Sequence, residues 1–226
     1  MWKELTNLWR SDDLLQQAWS ESYEMLEIAQ KMYVEAVRIL RESEDTVINL
    51  EIRQKDKEVN KYEQEVRRKV MTHCTLQGSE ELPGGMVLVS IVIDIERIGD
   101  YCKNILDLAE VHPAKLTVGA YENSLYGIEK EVRSRFGETI SVLRNQDVVK
   151  AHEMMGSFKV EISGICDNIV DELAKESAEN LSSSDAVALA LYVRYLKRIS
   201  AHLNNMITSV VNPFERIGFR AEDNNG

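Results

Sequence analysis

The fold and the chemistry of this chain are decided by residues 93–105, which read IDIERIGDYCKNI. The spacing of the apolar residues predicts the middle of a long helix. Two carboxylates, Glu96 and Asp100, lie four residues apart and therefore project about 40° apart on one helix face. Like charges at this spacing repel each other unless a cation lies between them. The pair predicts either oxygen ligands for a cation at a helix–helix contact or an ordinary hydrated face, which Lys103 and Asp107 continue.

The composition is that of an all-helical protein. The 226 residues include only three prolines and eleven glycines, so residues that interrupt helices are rare. The net charge of −11, without a lysine- or arginine-rich run, argues against nucleic acid and anionic membranes as partners and favours cations or a basic protein surface. The three cysteines form no C-x-x-C pair, which favours a reducing compartment. With no signal-peptide pattern and no apolar run of about 20 residues, the chain is predicted to be soluble and cytoplasmic.

Apolar periodicity and capping signals predict six long helices. They run from a cap at 11–13 to about Arg41, from a break at 43–46 to about Cys74, from about Met86 to Glu110, from about Lys115 to Leu143, from Asp147 to about Ala178, and from a capping box at Ser182 and Asp185 to Val211. Residues 77–85, which include Leu82-Pro83-Gly84-Gly85, are predicted to be the clearest interhelical loop. Residues 214–226 are predicted to form a loose tail.

The three-helix pattern occurs twice, which predicts an internal duplication. At an offset of 101 residues, residues 96–100 fall on residues 197–201, and Asn104-Ile105 falls on Asn205-Met206. The arginine, the following isoleucine and the downstream asparagine persist, whereas both carboxylates are replaced. The chain is therefore predicted to be all-α, with two tandem three-helix bundles at 1–112 and 113–213 followed by the tail.

Three polar side chains on the second helix, Asp56, Asn60 and Glu63, occur at positions i, i+4 and i+7. They form a stripe only about 60° wide. If the second and third helices pack side by side, this stripe faces Glu96 and Asp100 and closes an oxygen-rich site. The alternative is that the second helix is so charged that any of its faces shows acids.

The sequence lacks the patterns of a catalytic apparatus. Its four histidines occur in no E-x-x-H or H-E-x-x-H motif, which excludes a ferritin-like di-iron centre and a zincin site. Phosphate-binding glycine loops and nucleophile elbows are also missing from the sequence. A metal-dependent phosphatase is disfavoured, because no histidine is placed to assist an open metal position. The chain is not expected to be an enzyme.

The string ERIGDYCKNI at 96–105 closely resembles the signature of the PhoU family of phosphate-uptake regulators, and residues 56–63 resemble that family's acidic second helix. The resemblance covers nearly the whole chain and implies six helices in two tandem three-helix bundles. It implies that metal ions, such as iron, zinc or another divalent ion, bind through E/D-x-x-x-D motifs. It also implies a non-catalytic, cytoplasmic negative regulator that links a phosphate transporter to a sensor histidine kinase. Some relatives instead accompany sodium–phosphate symporters or other ion transporters.

The family's metal ligands carry over to five residues of this sequence. Glu96 and Asp100 match the metal motif of the first repeat, and Asp56, Asn60 and Glu63 match its second-helix partners. The implied cofactor is a divalent or ferric ion, with iron, zinc and magnesium as the candidates.

The second repeat departs from the family pattern, because Lys197 and Ala201 replace both expected carboxylates. A lysine ammonium repels a divalent cation, so the second metal cluster is predicted to be absent or badly weakened. Glu161 is retained in this repeat and is expected to pair with Lys197.

Two hypotheses follow. The first is a PhoU-like regulator with one metal site, in the first repeat, that binds a phosphate transporter, a sensor histidine kinase or both. Such a protein would reach the membrane only through its partner and would form a homodimer. The second is a metal-free helical interaction module that regulates another ion transporter.

Overall fold

The structure is a computed structural model that describes residues 11–43, 50–112, 114–175 and 181–219, and every regular element in these ranges is helical. The helices are α1 (Ser11–Glu42), α2 (Leu50–Gln77), α3 (Leu82–Val111), α4 (Glu122–Asn145), α5 (Val148–Phe158), α6 (Gly164–Ala174) and α7 (Ser183–Thr208). A π-helix, Lys159–Ser163, joins α5 to α6, so the seven segments form six rods. The prediction of an all-α fold with six long helices is confirmed.

The predicted loop at 77–85 is wrong in its second half, because α3 already begins at Leu82. Pro83 lies in the first turn of α3, where a backbone N–H has no helical partner and proline costs nothing. Gly85 is buried against α2, and a β-carbon there would lie 2.7 Å from the Cys74 sulfur and 2.9 Å from Val70. The glycine that suggests a loop in the sequence instead allows two helices to approach closely.

The fourth helix begins at Glu122, seven residues later than predicted. In the preceding segment the backbone N–H of Leu116 donates to the carbonyl of Leu40 at 2.9 Å, and a short 3₁₀ helix, Gly119–Tyr121, leads into α4. Leu116 and Val118 are fully buried in the core. The break predicted at 43–46 falls mostly on residues 44–49, which lie outside the described residues.

The six rods form two three-helix groups that share one hydrophobic core. In the first group α1, α2 and α3 pack against each other, and in the second group α7 packs against α4, α5 and α6. The two groups meet where α3 packs on α7 and α1 packs on α4. One continuous core cluster contains buried residues of both groups, among them Met32, Ile98, Val132 and Leu196. The helix arrangement is consistent with two repeats, while the boundary at 112 and 113 stays a prediction.

Contacts between α3 and α7 preserve the symmetry of the proposed duplication. The 101-residue offset maps Asp94 onto Tyr195 and Tyr101 onto His202. Oδ1 of Asp94 lies 2.7 Å from Nδ1 of His202, and the rings of Tyr101 and Tyr195 lie 6.0 Å apart. These two contacts therefore join equivalent positions in opposite order, as a pseudo-two-fold axis requires.

The end of the described chain folds back on α7. The side-chain amide of Asn212 donates to the carbonyls of Arg216 at 3.0 Å and Phe219 at 2.8 Å. The N–H of Gly218 donates to Oγ1 of Thr208 at 2.7 Å. Of the predicted loose tail, residues 214–219 are thus anchored by hydrogen bonds, and residues 220–226 lie outside the described residues.

The capping box that the sequence predicts at Ser182 and Asp185 lies at the start of α7. Ser182 caps α7, because its Oγ accepts from the N–H of Asp185 at 3.0 Å, which is one of the two bonds of the predicted capping box. The Asp185 carboxylate accepts from the Ser182 hydroxyl at 2.6 Å. Among the helices in the described part of the chain, none combines the length and the apolar character needed to cross a bilayer.

Candidate metal centre

The predicted acidic faces of α2 and α3 meet at one lysine. The two helices are consecutive and antiparallel, and Nζ of Lys103 on α3 lies 3.1 Å from Oδ2 of Asp56 on α2 and 3.1 Å from Oδ1 of Asp100 on α3. The ammonium donates a hydrogen bond to each carboxylate. Asp56 is buried, whereas the Asp100 side chain is 37% exposed. One ammonium thus bridges a carboxylate from each helix, at the position where a shared cation would bind.

Glu96 lies one turn before Asp100 on α3 and is half-buried. Partial burial raises the pKa of its carboxyl, and repulsion from Asp100, Glu63 and Asp56 raises it further. Arg97, whose Nε lies 3.7 Å from Oε2 of Glu96, opposes this increase in part. Burial is the largest cause of this shift, and repulsion from the neighbouring acids adds to it.

The remaining predicted ligands lie on α2. Asn60 is half-buried one turn after Asp56. Glu63 pairs within its own helix with Arg67, whose Nη2 lies 2.9 Å from Oε1 of the glutamate. The two residues lie on the same stripe of α2 as Asp56, whose hydrogen bond from Lys103 shows that this part of the stripe faces α3.

The donors in this cluster fit a hard cation such as Mg²⁺ or Mn²⁺, because such ions prefer carboxylate and amide oxygens. In the part of the chain that the structure describes, however, no three histidine, cysteine, aspartate or glutamate side chains lie close enough to hold a metal ion. Lys103 stands between the two aspartates instead. The residues fit the predicted cofactor by donor type, and the metal centre itself stays a prediction.

In the second bundle, the position equivalent to Glu96 is occupied by a lysine that pairs with an aspartate. Lys197, which replaces Glu96 at the 101-residue offset, contacts both carboxylate oxygens of Asp167 at 2.6 Å. The expected pairing of Lys197 with Glu161 is wrong, because Glu161 instead accepts from Nη2 of Arg135 at 3.0 Å. Glu161 lies inside the π-helix, whose wider turn changes the direction of the side chain from that of a regular helix.

A buried arginine in the second bundle was missed by sequence reasoning. Arg135 on α4 is only 1% exposed. It donates to the carbonyl of Met154 at 3.0 Å, to Oγ of Ser157 at 2.6 Å, and to carboxylates of Glu131 at 2.9 Å and Glu161 at 3.0 Å. The available signal was its place in the apolar repeat of α4, since an arginine at a core position must have buried partners.

A second missed feature is the buried acid at the contact between α3 and α7. Asp94 accepts from Nδ1 of His202 at 2.7 Å and from Nδ2 of Asn205 at 3.3 Å. The ring of His202 also stacks on Tyr101, with centroids 5.9 Å apart. The available signal was again the position of the residue in the sequence. Asp94 lies between two isoleucines on a helix that is buried on several sides.

Replacement of Glu96 by glutamine is expected to stabilise the metal-free protein near neutral pH by about 0.2–0.5 kcal/mol, the cost of one like-charge pair at this helical spacing. Because the pKa of Glu96 is higher in the folded protein than in the unfolded chain, the carboxyl ionises at a lower pH in the unfolded chain. Above the pKa of the unfolded chain, ionisation of Glu96 therefore lowers the free energy of unfolding. The gain should therefore vanish in acid, where the carboxyl is protonated in both states. Urea denaturation in the presence of EDTA, at neutral pH and in acid, measures this change in the free energy of unfolding.

The control for this prediction is Glu80→Gln, which changes an exposed glutamate outside the cluster. It should alter the free energy of unfolding little at either pH. A loss of stability in the Glu96→Gln variant near neutral pH would contradict the like-charge account of the cluster.

The fold and the cluster define a class of protein, an all-helical pair of three-helix bundles with an acidic α2–α3 seam. Residues 23–109 match the family model described as the PhoU domain, and this range contains all five predicted metal ligands. Over 205 residues the chain is 22% identical to a phosphate-specific transport system accessory protein PhoU homolog from Clostridium acetobutylicum, which covers 87% of this chain and 90% of the relative. The predicted resemblance to the PhoU family is confirmed by the family model over residues 23–109 and by this relative over most of the chain.

Solved structures show the same fold. The crystal structure of PhoU from Pseudomonas aeruginosa matches with a TM-score of 0.77 at 20% identity, over 88% of this chain and 96% of that chain. The crystal structure of the phosphate transport system regulatory protein PhoU from Streptococcus pneumoniae matches with a TM-score of 0.77 at 16% identity, over 89% of this chain and 95% of that chain. Both comparisons extend the likeness across the two helix groups.

Proposed function

We propose that this chain regulates phosphate uptake by binding a phosphate transporter, or a sensor histidine kinase coupled to that transporter, without catalysing a reaction. The observation that carries the proposal is the family match, together with a relative of nearly the same length that is described as an accessory protein of a phosphate-specific transport system. Binding to one conformation of the partner in preference to another would be sufficient for regulation. The proposal places the chain in the cytoplasm as a homodimer that contacts the membrane through its partner.

The charge of the first bundle supports a basic partner surface. The groove between α1 and α2 has a cavity of about 380 Å³, and its charged lining residues are four glutamates and one lysine: Glu21, Glu24, Glu58, Glu65 and Lys61. Glu21 and Glu65 are paired with Lys69 and Lys61, which leaves Glu24 and Glu58 as the acids without a lysine partner in the described ion pairs. Tyr62 donates to Oε2 of Glu24 at 2.9 Å, and this hydrogen bond raises the pKa of the phenol to about 12. An acidic groove of this kind attracts lysine- or arginine-rich surfaces.

The proposed metal site belongs to the first bundle alone. Its ligands would come from Asp56, Asn60 and Glu63 on α2 and from Glu96 and Asp100 on α3. A bound ion would supply the positive charge that this seam lacks and would fix α2 against α3. The candidates are a divalent or ferric ion, and the oxygen donors favour magnesium, manganese or iron over zinc.

A second candidate function rests on Lys103. Because its ammonium already bridges Asp56 and Asp100, the chain offsets part of the negative charge of this seam without a metal. In that case the protein is a metal-free helical interaction module that regulates another ion transporter.

Deletion of the gene in the organism that encodes it distinguishes these functions. The first predicts that phosphate uptake in phosphate-rich medium rises several-fold and returns to normal when the wild-type gene is restored. It also predicts that an affinity-tagged chain retains components of the phosphate transporter or its kinase. Unchanged phosphate uptake together with altered uptake of another ion would support the second function. Unchanged uptake of phosphate and of other ions would overturn both proposed functions.

A further inference from the structure

Arginines and tyrosines lie together on the solvent side of the contact between α3 and α7. Tyr101 on α3 and Tyr195 on α7 are half-buried, with ring centroids 6.0 Å apart. Exposed Arg198 on α7 donates from Nε to the Tyr101 hydroxyl at 3.2 Å, and its guanidinium carbon lies 5.9 Å from the centre of the Tyr101 ring. Arg194 precedes Arg198 by one turn on α7, and Arg97 precedes Tyr101 by one turn on α3. These five residues are called the arginine–tyrosine surface.

The α7 side of this surface is basic, although the chain as a whole has a net charge of −11. Residues 186–208 of α7 include Arg194, Lys197 and Arg198 and contain no aspartate or glutamate. Lys197 is bound by Asp167 of a neighbouring helix. Within the described part of the chain, no ion pair joins either arginine of α7 to a carboxylate. The positive charge of these two arginines is therefore available to another molecule.

The acids that follow Arg97 along α3 are paired with other cations. Asp100 accepts from Lys103 at 3.1 Å, and Asp107 pairs with Arg53 at 2.9 Å. Arg97 itself contacts the carboxylate that precedes it in the sequence at 3.7 Å, and its side chain is 60% exposed. The acids of α3 therefore leave the charge of the arginine–tyrosine surface largely uncompensated.

Arg198 is held in a geometry that suits a carboxylate ligand. Its bond to Tyr101 and its place beside that ring restrict the side chain, so less conformational freedom is lost when a ligand binds. Its two terminal nitrogens donate to none of the described residues, and such a pair of donors can bind both oxygens of one carboxylate. Arginine and tyrosine are also among the residues that contribute most to binding energy at protein interfaces.

We propose that the arginine–tyrosine surface binds an acidic segment of the transporter or kinase partner, with carboxylates on its arginines and apolar side chains on its tyrosines. A short acidic segment fits better than a nucleic acid or an anionic membrane, because an extended anion would also approach the surrounding acids of a chain with net charge −11. This inference rests on the partner binding of the proposed function and names the surface and the partner chemistry. The acidic groove between α1 and α2 is a separate surface, which suits a basic region of the partner.

The first test uses the full chain and a short, dye-labelled glutamate-rich peptide as the probe, with binding measured by fluorescence anisotropy. The surface variant, Arg194→Gln/Arg198→Gln, should raise the Kd for this peptide about tenfold, because two uncompensated guanidinium groups are lost. The control variant, Arg68→Gln/Arg133→Gln, also removes two exposed arginines that have no carboxylate partner in the described ion pairs. It should change the Kd by less than about twofold. Both variants should keep the Tm of wild type within about 2 °C, because the substituted side chains are exposed.

Other probes separate an acidic segment from other anions. A glutamine-rich peptide of the same length, inorganic phosphate and vesicles that contain phosphatidylglycerol should each bind wild type more weakly than the glutamate-rich peptide does. Equal losses in the surface and control variants would overturn the proposal, because they would show attraction to overall charge alone. Failure of wild type to bind the glutamate-rich peptide, or tighter binding of phosphate or vesicles, would also overturn it.

Retention of the partner separates this inference from the proposed function. An affinity-tagged wild-type chain should retain components of the phosphate transporter or its kinase, the surface variant should lose most of them, and the control variant should retain them. If the surface variant retains them as well as wild type does, the proposed function stands and this inference is overturned. If tagged wild type retains none of them and deletion of the gene leaves ion uptake unchanged, the proposed function fails and this inference fails with it.

Discussion

Arg135→Ala is expected to destabilise the protein by about 2–4 kcal/mol, the combined cost of a core cavity and of lost hydrogen bonds to charged and polar groups. For a chain of this length the change corresponds to a fall in Tm of roughly 10 °C. Circular dichroism on heating, and urea denaturation at fixed temperature, measure the two quantities.

The reason for this large effect is that one guanidinium holds three helical segments together. Arg135 on α4 reaches Met154 and Ser157 on α5 and Glu161 in the π-helix. Truncation leaves the carbonyl of Met154 without this donor and opens space beside a buried position. The carboxylate of Glu161 is 47% exposed, so water replaces part of its lost interaction.

Two variants make the prediction specific. Arg135→Lys should recover less than half of the lost stability, because an ammonium cannot reproduce the planar fork of donors. Arg133→Ala, an exposed arginine on the same helix, should change the free energy of unfolding by no more than about 0.5 kcal/mol. Equal effects at positions 133 and 135 would show that Arg135 does not hold α5 in place.

Asp94→Ala is expected to cost about 2–4 kcal/mol, because it leaves two donors without an acceptor inside the contact between α3 and α7. The affected donors are Nδ1 of His202 and Nδ2 of Asn205. Asp94 and His202 are 9% and 8% exposed, so water can compensate little. The loss should appear as a lower urea midpoint.

A double-mutant cycle isolates the contact. Asp94→Ala combined with His202→Ala should show a coupling of about 1 kcal/mol or more, since the two side chains bond directly. Asp107→Ala is the control, because Asp107 lies on the same helix in a half-exposed pair with Arg53 and should cost less than about 1 kcal/mol. A coupling near zero would mean that Asp94 and His202 do not stabilise the contact as a pair.

The helices and their order were predictable because apolar spacing is a local property of the sequence. Their starts at Leu82 and Glu122 were not predictable from the same signals. Glycine and proline at 83–85 are compatible with either a loop or the first turn of a helix, and the close approach of α2 decides between them. The delay before α4 depends on a backbone bond between Leu116 and Leu40, which are distant in sequence.

The candidate site also depends on contacts that local sequence signals cannot predict. Spacing placed Glu96 and Asp100 on one face of α3, and Asp56 on one face of α2, but spacing within a helix does not identify what lies across from it. Lys103 is polar and continues the arc of α3, so the sequence alone gives it no special role. Its importance arises from Asp56, which lies 47 residues earlier and reaches it only after α2 and α3 pack.

We propose that this PhoU-like chain binds a cation in its first bundle and not in its second. Native mass spectrometry of the full chain with Mn²⁺, for wild type and for a Glu96→Gln/Asp100→Asn variant, tests it most directly. We expect one specifically bound ion per wild-type chain and none in the variant. Two specific ions per chain, or one ion that persists in the variant, would contradict it.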